Sequence, residues 1–166
     1  GDDVPVYCTE AVERRIRTVF EYAFDPAARA YPAGGVPRLA LRRIEPNRPF
    51  EALGAEVLPV ALRHGRCDVL GFRLGRLAYC TDTNGIPDET AARLRGLNVL
   101  VLDALRRREH ATHFNLEQAV AAARRLGPGR TLLTHLCHDL EHEATRRALP
   151  AEIEPAHDGL RLRFDG

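Results

Sequence analysis

The stretch T-L-L-T-H-L-C-H-D-L-E-H, Thr131 to His142, decides how the chain is read. Its first four residues are apolar or β-branched, the composition of a strand buried on both faces, and they run directly into His135. In α/β proteins, ligands sit in the crevice outside the carboxyl ends of such strands. Two further runs stop on an acid in the same way: Leu77 to Thr81 on Asp82, and Val99 to Leu102 on Asp103. Three strand tips carrying Asp, Asp and His are expected to form a ligand constellation, with the rest of the chain as its scaffold.

Outward from that stretch the pattern alternates. Upstream, Val4 to Cys8 is expected as a strand, followed by a helix capped by Thr9 and running to about Phe20, with Val12, Ile16, Val19 and Phe20 on one face. Asp25 to Pro37, rich in Pro and Gly, is a long loop, either an active-site lid or a linker. Leu39 to Ile44, Glu56 to Leu62, Val69 to Leu74 and Leu77 to Thr81 are strands, the last two joined by the tight Gly75-Arg76 turn, so the middle of the chain is expected as an antiparallel meander. Ile86-Pro87-Asp88-Glu89 opens a helix to about Arg95, with Pro and acids where the helix dipole favours them. Asn115 with Gln118 is a capping box for a helix over Leu116 to Leu126, closed by Gly127-Pro128-Gly129. Asp139 is expected to cap a helix to about Leu149, and Glu152 to Pro155 with Leu160 to Phe164 to close the chain as a hairpin. The sum is one α/β domain over residues 1–166, a mixed sheet of about nine strands with four helices on one face.

Composition narrows the chemistry. The 166 residues can bury roughly two-thirds of the unfolded chain's surface. A formal charge of +1 with interspersed signs advertises neither a nucleic-acid footprint nor a membrane surface. No apolar run approaches the roughly 18 residues of a membrane span, and no signal-peptide pattern opens the chain, so a cytoplasmic location is expected. The four cysteines, Cys8, Cys67, Cys80 and Cys137, form no C-x-x-C pair and are expected as free thiols. The chain has no Ser and no Lys, all 24 basic residues being Arg, which excludes a Ser-His-Asp triad, a Walker-A lysine and a Schiff-base lysine. Hydrolysis would therefore need a metal-activated water, Cys or Thr. Without Met, Gly1 is expected to be a cut or processed end.

Five of the seven histidines fall in two clusters, His110 with His113 and His135 with His138 and His142, and His64 follows an apolar strand. Imidazoles at strand ends with a carboxylate are the ligands that zinc, iron and manganese use. Taken singly, each histidine reads first as a hydrogen-bonded or solvated side chain rather than a ligand. Asp82 and His135 are different, because each ends a strand too apolar to be exposed, and a buried carboxylate without a partner is costly. His138 and His142 stand four apart, but Asp139 occupies the place where the zinc-protease motif H-E-x-x-H needs Glu.

In order, the runs Val69-Leu70-Gly71-Phe72 after His64-Gly65, Ala78 to Thr83, Val99 to Asp103, Thr112-His113-Phe114, Leu133 to Asp139 and His157-Asp158-Gly159 resemble the second half of a metallo-β-lactamase-fold phosphodiesterase. The branch they resemble is the bacterial enzymes that open ribose cyclic phosphates in phosphonate breakdown, relatives of ribonuclease Z. The resemblance implies a metallo-β-lactamase-like αββα fold and a two-metal phosphodiester hydrolase using zinc or manganese. His64 resembles a ligand of one metal, Asp82 the carboxylate bridging both, and His135 a ligand of the other. His113 resembles the catalytic histidine set against the substrate phosphate, acting there with Asp82, while His138 and Asp103 are expected behind the ligands. The family's H-x-H-x-D-H motif does not occur in these 166 residues. The expectation is therefore a part of the fold with a partial or absent metal site, completed by a missing N-terminal half or a second copy. The alternative is a non-catalytic binding or structural module. A small phosphodiester is the expected substrate, with no membrane partner and no nucleic acid called for. Val57, Val60, Leu74 and Leu77 are expected to be partly uncovered.

Overall fold

The computed structural model describes residues 3–29 and 36–163, which fall into two compact units, Gly1–Arg48 and Pro49–Gly166. In the first, β1 (Val4–Cys8) leads into α1 (Glu10–Val19), a 3-10 turn (Glu21–Ala23), a one-turn α2 (Pro26–Arg29) and β2 (Leu39–Arg43). β1 and β2 pair in parallel, Val4 against Leu39 and Cys8 against Arg43, so α1 lies in the crossover that parallel pairing demands. The side chain of Thr9 accepts from the Val12 N–H, as the cap requires. The helix does not bury the expected face: Val12, Val19 and Phe20 are half exposed, and the buried residue is Glu13. The cause is electrostatic, since Arg43 and Arg17 donate to the two Glu13 carboxylate oxygens at 2.6 and 2.8 Å. Those bonds, Arg43 first, hold the Glu13 carboxyl below its ordinary range. The expected loop over Asp25 to Pro37 contains α2, and its residues 30–35 lie outside the described residues.

The second unit is a seven-stranded sheet in the order β3 (Phe50–Ala52), β4 (Ala55–His64), β5 (Cys67–Leu74), β6 (Leu77–Cys80), β7 (Val99–Asp103), β8 (Arg130–Thr134), β9 (Ile153–Pro155). β3 to β6 form the expected antiparallel meander, and β6 to β9 pair in parallel. The parallel crossovers carry α3 (Asp88–Arg93), α4 (Leu116–Leu126) and α5 (His142–Ala148). Successive strands that are also neighbours, joined by right-handed crossovers, place those helices on one face. The core there is built from Val60, Leu62, Leu94, Leu100, Leu102, Ala119, Ala123 and Leu133. β7 is buried on both faces, as its unbroken apolar run predicts. α4 has the full capping box: the Asn115 side chain accepts from the Gln118 N–H at 2.8 Å and the Gln118 side chain from the Asn115 N–H at 3.0 Å. Gly127 closes that helix at φ +63°, where an L side chain would be strained.

This alternation of direction decides where the chemistry falls. β4 and β6 are each antiparallel to β5, so both run the same way, and β7 and β8 run parallel to β6. The carboxyl ends of β4, β6, β7 and β8 therefore share one edge of the sheet.

Three expectations are corrected. Asp139 does not cap the last helix; Glu141 does, accepting from the Glu143 and Ala144 N–H groups, because Asp139 is paired with His138. No strand follows β9 among the described residues: residues 160–163 are irregular, and Phe164 lies outside the described residues. Val57 and Val60 are buried rather than uncovered, while Leu74 and Leu77 are half-buried. No helix among the described residues is long and apolar enough to cross a membrane.

Candidate metal centre

His64 is the last residue of β4, Asp82 follows β6 by two residues, and His135 follows β8 directly. His113 arrives from the loop between β7 and α4. The shared edge brings all four together. The nearest Asp82 carboxylate oxygens lie 3.8 Å from His113 Nε2 and 3.9 Å from His135 Nε2. One ligand atom from each of Asp82, His113 and His135 lies within 4.8 Å of the others. The His113 ring stacks on His135 at 4.8 Å between centroids and meets His64 edge-on at 4.6 Å. His135 holds its place with a left-handed backbone, φ +60°, uncommon for a non-glycine residue and a conformation that clusters at functional sites.

Charge is arranged to keep the carboxylate ionised. The Thr81 hydroxyl donates to Asp82 Oδ1 at 2.6 Å and holds that carboxyl below its ordinary range, with the nearby His135, His113 and His64 acting in the same direction. Burial pushes the His113 ring down, and His135 and His64 add to the effect, so His113 favours its neutral form. Two imidazole nitrogens of these rings, His64 Nδ1 and His113 Nε2, are buried with no hydrogen-bond partner among the described residues, and of the two rings only that of His113 joins the Asp82 and His135 ligand grouping. Unpaired buried polar atoms are rare and costly. Imidazole nitrogens beside an ionised carboxylate are a donor set that fits a divalent ion.

Behind the cluster stands a brace that the sequence did not reveal in full. Asp103 is fully buried, and its two carboxylate oxygens accept from the Thr83 N–H at 2.9 Å and the Phe114 N–H at 3.3 Å, joining the loop of Asp82 to the loop of His113. Burial pushes its carboxyl up to about 7. Thr83, also fully buried, donates its hydroxyl to the Arg63 carbonyl at 2.7 Å and accepts from the Gly85 N–H at 3.1 Å, tying the same loop to the end of β4. Asn84 accepts from the Gly65 N–H and donates to the Ala111 carbonyl, each at 2.9 Å. The sequence signal for both is weak: short polar residues after a strand tip, which read as an ordinary turn.

His138 is turned to solvent, its side chain 96% exposed and paired with Asp139 at 3.3 Å. Cys137, His138 and Asp139 thus make a second, surface grouping of possible ligand atoms on the loop after His135. His142 opens α5 and pairs with Glu143.

Residues 1–136 match the family model described as a β-lactamase superfamily domain. The chain is similar to a solved diphosphatase from the PhnP family, 41% identical, covering 99% of this chain and 59% of that one with a TM-score of 0.86. It shares the fold of the short form of human tRNase Z, 18% identical, with 96% of this chain and 66% of that one covered at a TM-score of 0.60. It is also 32% identical over 165 residues to an octanoyltransferase of Porphyromonas gingivalis, across 98% of this chain and 33% of that protein. The chain therefore spans about a third of that curated relative and under two-thirds of the diphosphatase.

Proposed function

Because the chain belongs to the metallo-β-lactamase superfamily of hydrolases, we propose that it is the part of a metal-dependent hydrolase that cleaves a phosphodiester, a ribose cyclic phosphate being the case the sequence resemblance implies. The observation that carries this reading is the meeting of Asp82, His64, His113 and His135 at one sheet edge, with His64 Nδ1 and His113 Nε2 buried and unpaired. The similarity to a diphosphatase supports hydrolysis at phosphorus. The similarity to an octanoyltransferase covers a third of that protein and brings no acyl chemistry to this chain.

In this reading His64, Asp82 and His135 would hold divalent ions, zinc or manganese. When bound, such ions supply Lewis acidity to a phosphoryl oxygen and acidify water. The chain's own groups do the rest. Asp82, kept ionised by the Thr81 hydroxyl, fixes negative charge at the centre. As water oxygen bonds to phosphorus and the ester P–O bond breaks, His113 Nε2 takes up the water's proton and delivers it to the leaving oxygen. Asp103 and Thr83 keep the loops of Asp82 and His113 in register for that transfer.

The resemblance implies roughly seven protein groups for two ions and assigns three here. The remaining ligands would come from protein beyond this sequence or from a second copy. A cytoplasmic setting fits the four free cysteines. The absence of H-x-H-x-D-H from the sequence favours a second reading, a module that keeps the fold without catalysis. Metal content after dialysis and turnover of a bis-aryl phosphodiester separate the two, measured on this chain and on the chain extended by its in-frame upstream sequence. The hydrolase reading expects little of either from the chain alone, and both from the extended protein unless Asp82 is changed to Asn. An extended protein that holds no metal, or metal-independent turnover, contradicts it.

A further inference from the structure

The loop between β7 and α4 carries a second histidine that the proposed reaction does not use. His110 is half-buried, and its ring lies 5.0 Å from that of His113, centroid to centroid. The two rings meet through like atoms: His110 Nδ1 and His113 Nδ1 are 3.1 Å apart. Two bare nitrogen lone pairs at that distance repel, and two N–H groups clash, so one of the two nitrogens carries a proton and the other accepts it. Which one is decided by the backbone between them. The Thr112 N–H donates to His110 Nδ1 at 3.3 Å, which makes that nitrogen an acceptor. His113 Nδ1 must then carry the proton and donate it, to His110 Nδ1 and to the Thr112 hydroxyl oxygen 2.9 Å away.

We infer that His110 is a positioning residue: with Thr112 it holds a proton on His113 Nδ1, so that whenever the ring carries a single proton the Nε2 lone pair is presented toward Asp82. His113 Nε2 itself has no hydrogen-bond partner among the described residues, the Asp82 carboxylate standing 3.8 Å away, beyond hydrogen-bond reach. A lone pair there can ligate an ion or accept a proton, whereas the other tautomer could do neither. Asn84, donating to the Ala111 carbonyl, fixes the peptide that sets Thr112 between the two rings. The proton on His113 Nδ1 stands on these hydrogen bonds; its consequence for the reaction rests on the hydrolase reading.

The test is a long-range proton–nitrogen correlation spectrum of the metal-free 166-residue chain labelled with nitrogen-15 histidine, at a fixed pH where His113 is neutral. Wild type should show His113 protonated at Nδ1 and bare at Nε2. In His110→Ala the Thr112 hydroxyl can donate or accept, so the tautomer ratio should shift toward Nε2–H by roughly tenfold, the equivalent of one hydrogen bond. In His110→Asn the amide oxygen can accept from the Thr112 N–H and the His113 Nδ1–H, and the wild-type tautomer should return. A merely structural role would not be rescued in this way. Wild-type His113 protonated at Nε2 overturns the inference even if a variant fails to fold, and so does an unchanged ratio in His110→Ala. An Nδ1–H tautomer in an extended protein without turnover would retire the hydrolase reading and leave the role of His110 standing.

Discussion

Thr83→Val removes one hydroxyl at the point where three parts of the site are tied together. Thr83 is fully buried, and valine has nearly its shape, so the perturbation is confined to the hydroxyl's bonds: one donated proton, shared between the Arg63 and Gly85 carbonyls, and one accepted from the Gly85 N–H. The hydroxyl bond to the Arg63 carbonyl, 2.7 Å, is lost, but that carbonyl still accepts from the Asn84 N–H at 2.8 Å. The bond from the Gly85 N–H, 3.1 Å, is lost with no replacement, leaving a half-buried donor unpaired. At a net 0.5–1.5 kcal/mol for each bond, the change should destabilise the chain by about 2 kcal/mol. Urea unfolding followed by far-ultraviolet circular dichroism measures it, with the midpoint falling and the slope unchanged, since the surface exposed on unfolding is the same. Thr83→Ser keeps the hydroxyl and should cost about 1 kcal/mol for the lost buried methyl. A valine variant within about 0.5 kcal/mol of wild type would refute the claim that this hydroxyl pins the Asp82 loop to β4.

Asp103 should make stability fall as pH rises. Its folded carboxyl titrates near 7, above its unfolded value of 3.8, so between those values the folded state binds more protons and loses ground with increasing pH. In the metal-free chain, urea midpoints between pH 4.5 and 7.5 should therefore decline more steeply for wild type than for Asp103→Asn, and equal slopes would count against a buried, proton-holding carboxyl. Gly65→Ala should destabilise by about 1–2 kcal/mol, because the residue has φ +62° and a Cβ would stand 2.8 Å from Thr112 Cγ2; a neutral change would show that the loop yields freely. Asn115→Ala should cost about 1 kcal/mol by opening the capping box of α4, read as a drop in melting temperature.

How much of this was legible in the sequence follows from the range of each interaction. The strand tips could be read because β4, β6, β7 and β8 are apolar runs that each end on or just before a polar residue, and four strands running one way must present those residues at one edge. α4 was legible because its capping box and closing glycine are local signals. The sequence did not foretell burial of Glu13, whose partner Arg43 lies thirty residues on. β3 is three residues long, too short for a period to show. The cap of α5 went to Glu141 because Asp139 has a competing partner in His138, a contest no spacing rule decides. Asp103 was expected behind the ligands, but its bracing partners Thr83 and Asn84 escaped for the same reason as Glu13: the bonds that tie them to Asp103, Arg63 and Ala111 join residues that only the folded sheet brings together.

The central claim is that Asp82 anchors a divalent-ion site at the shared strand edge, and calorimetric titration of zinc into the metal-free chain tests it most directly. Wild type should take up zinc weakly, too weakly to keep it through dialysis, Asp82→Asn should lose at least about tenfold in affinity by removing the one carboxylate among three imidazoles, and His138→Ala should bind as wild type does. Undiminished binding by Asp82→Asn, or loss of binding in His138→Ala, would place the ion on the Cys137–Asp139 loop instead and contradict the account.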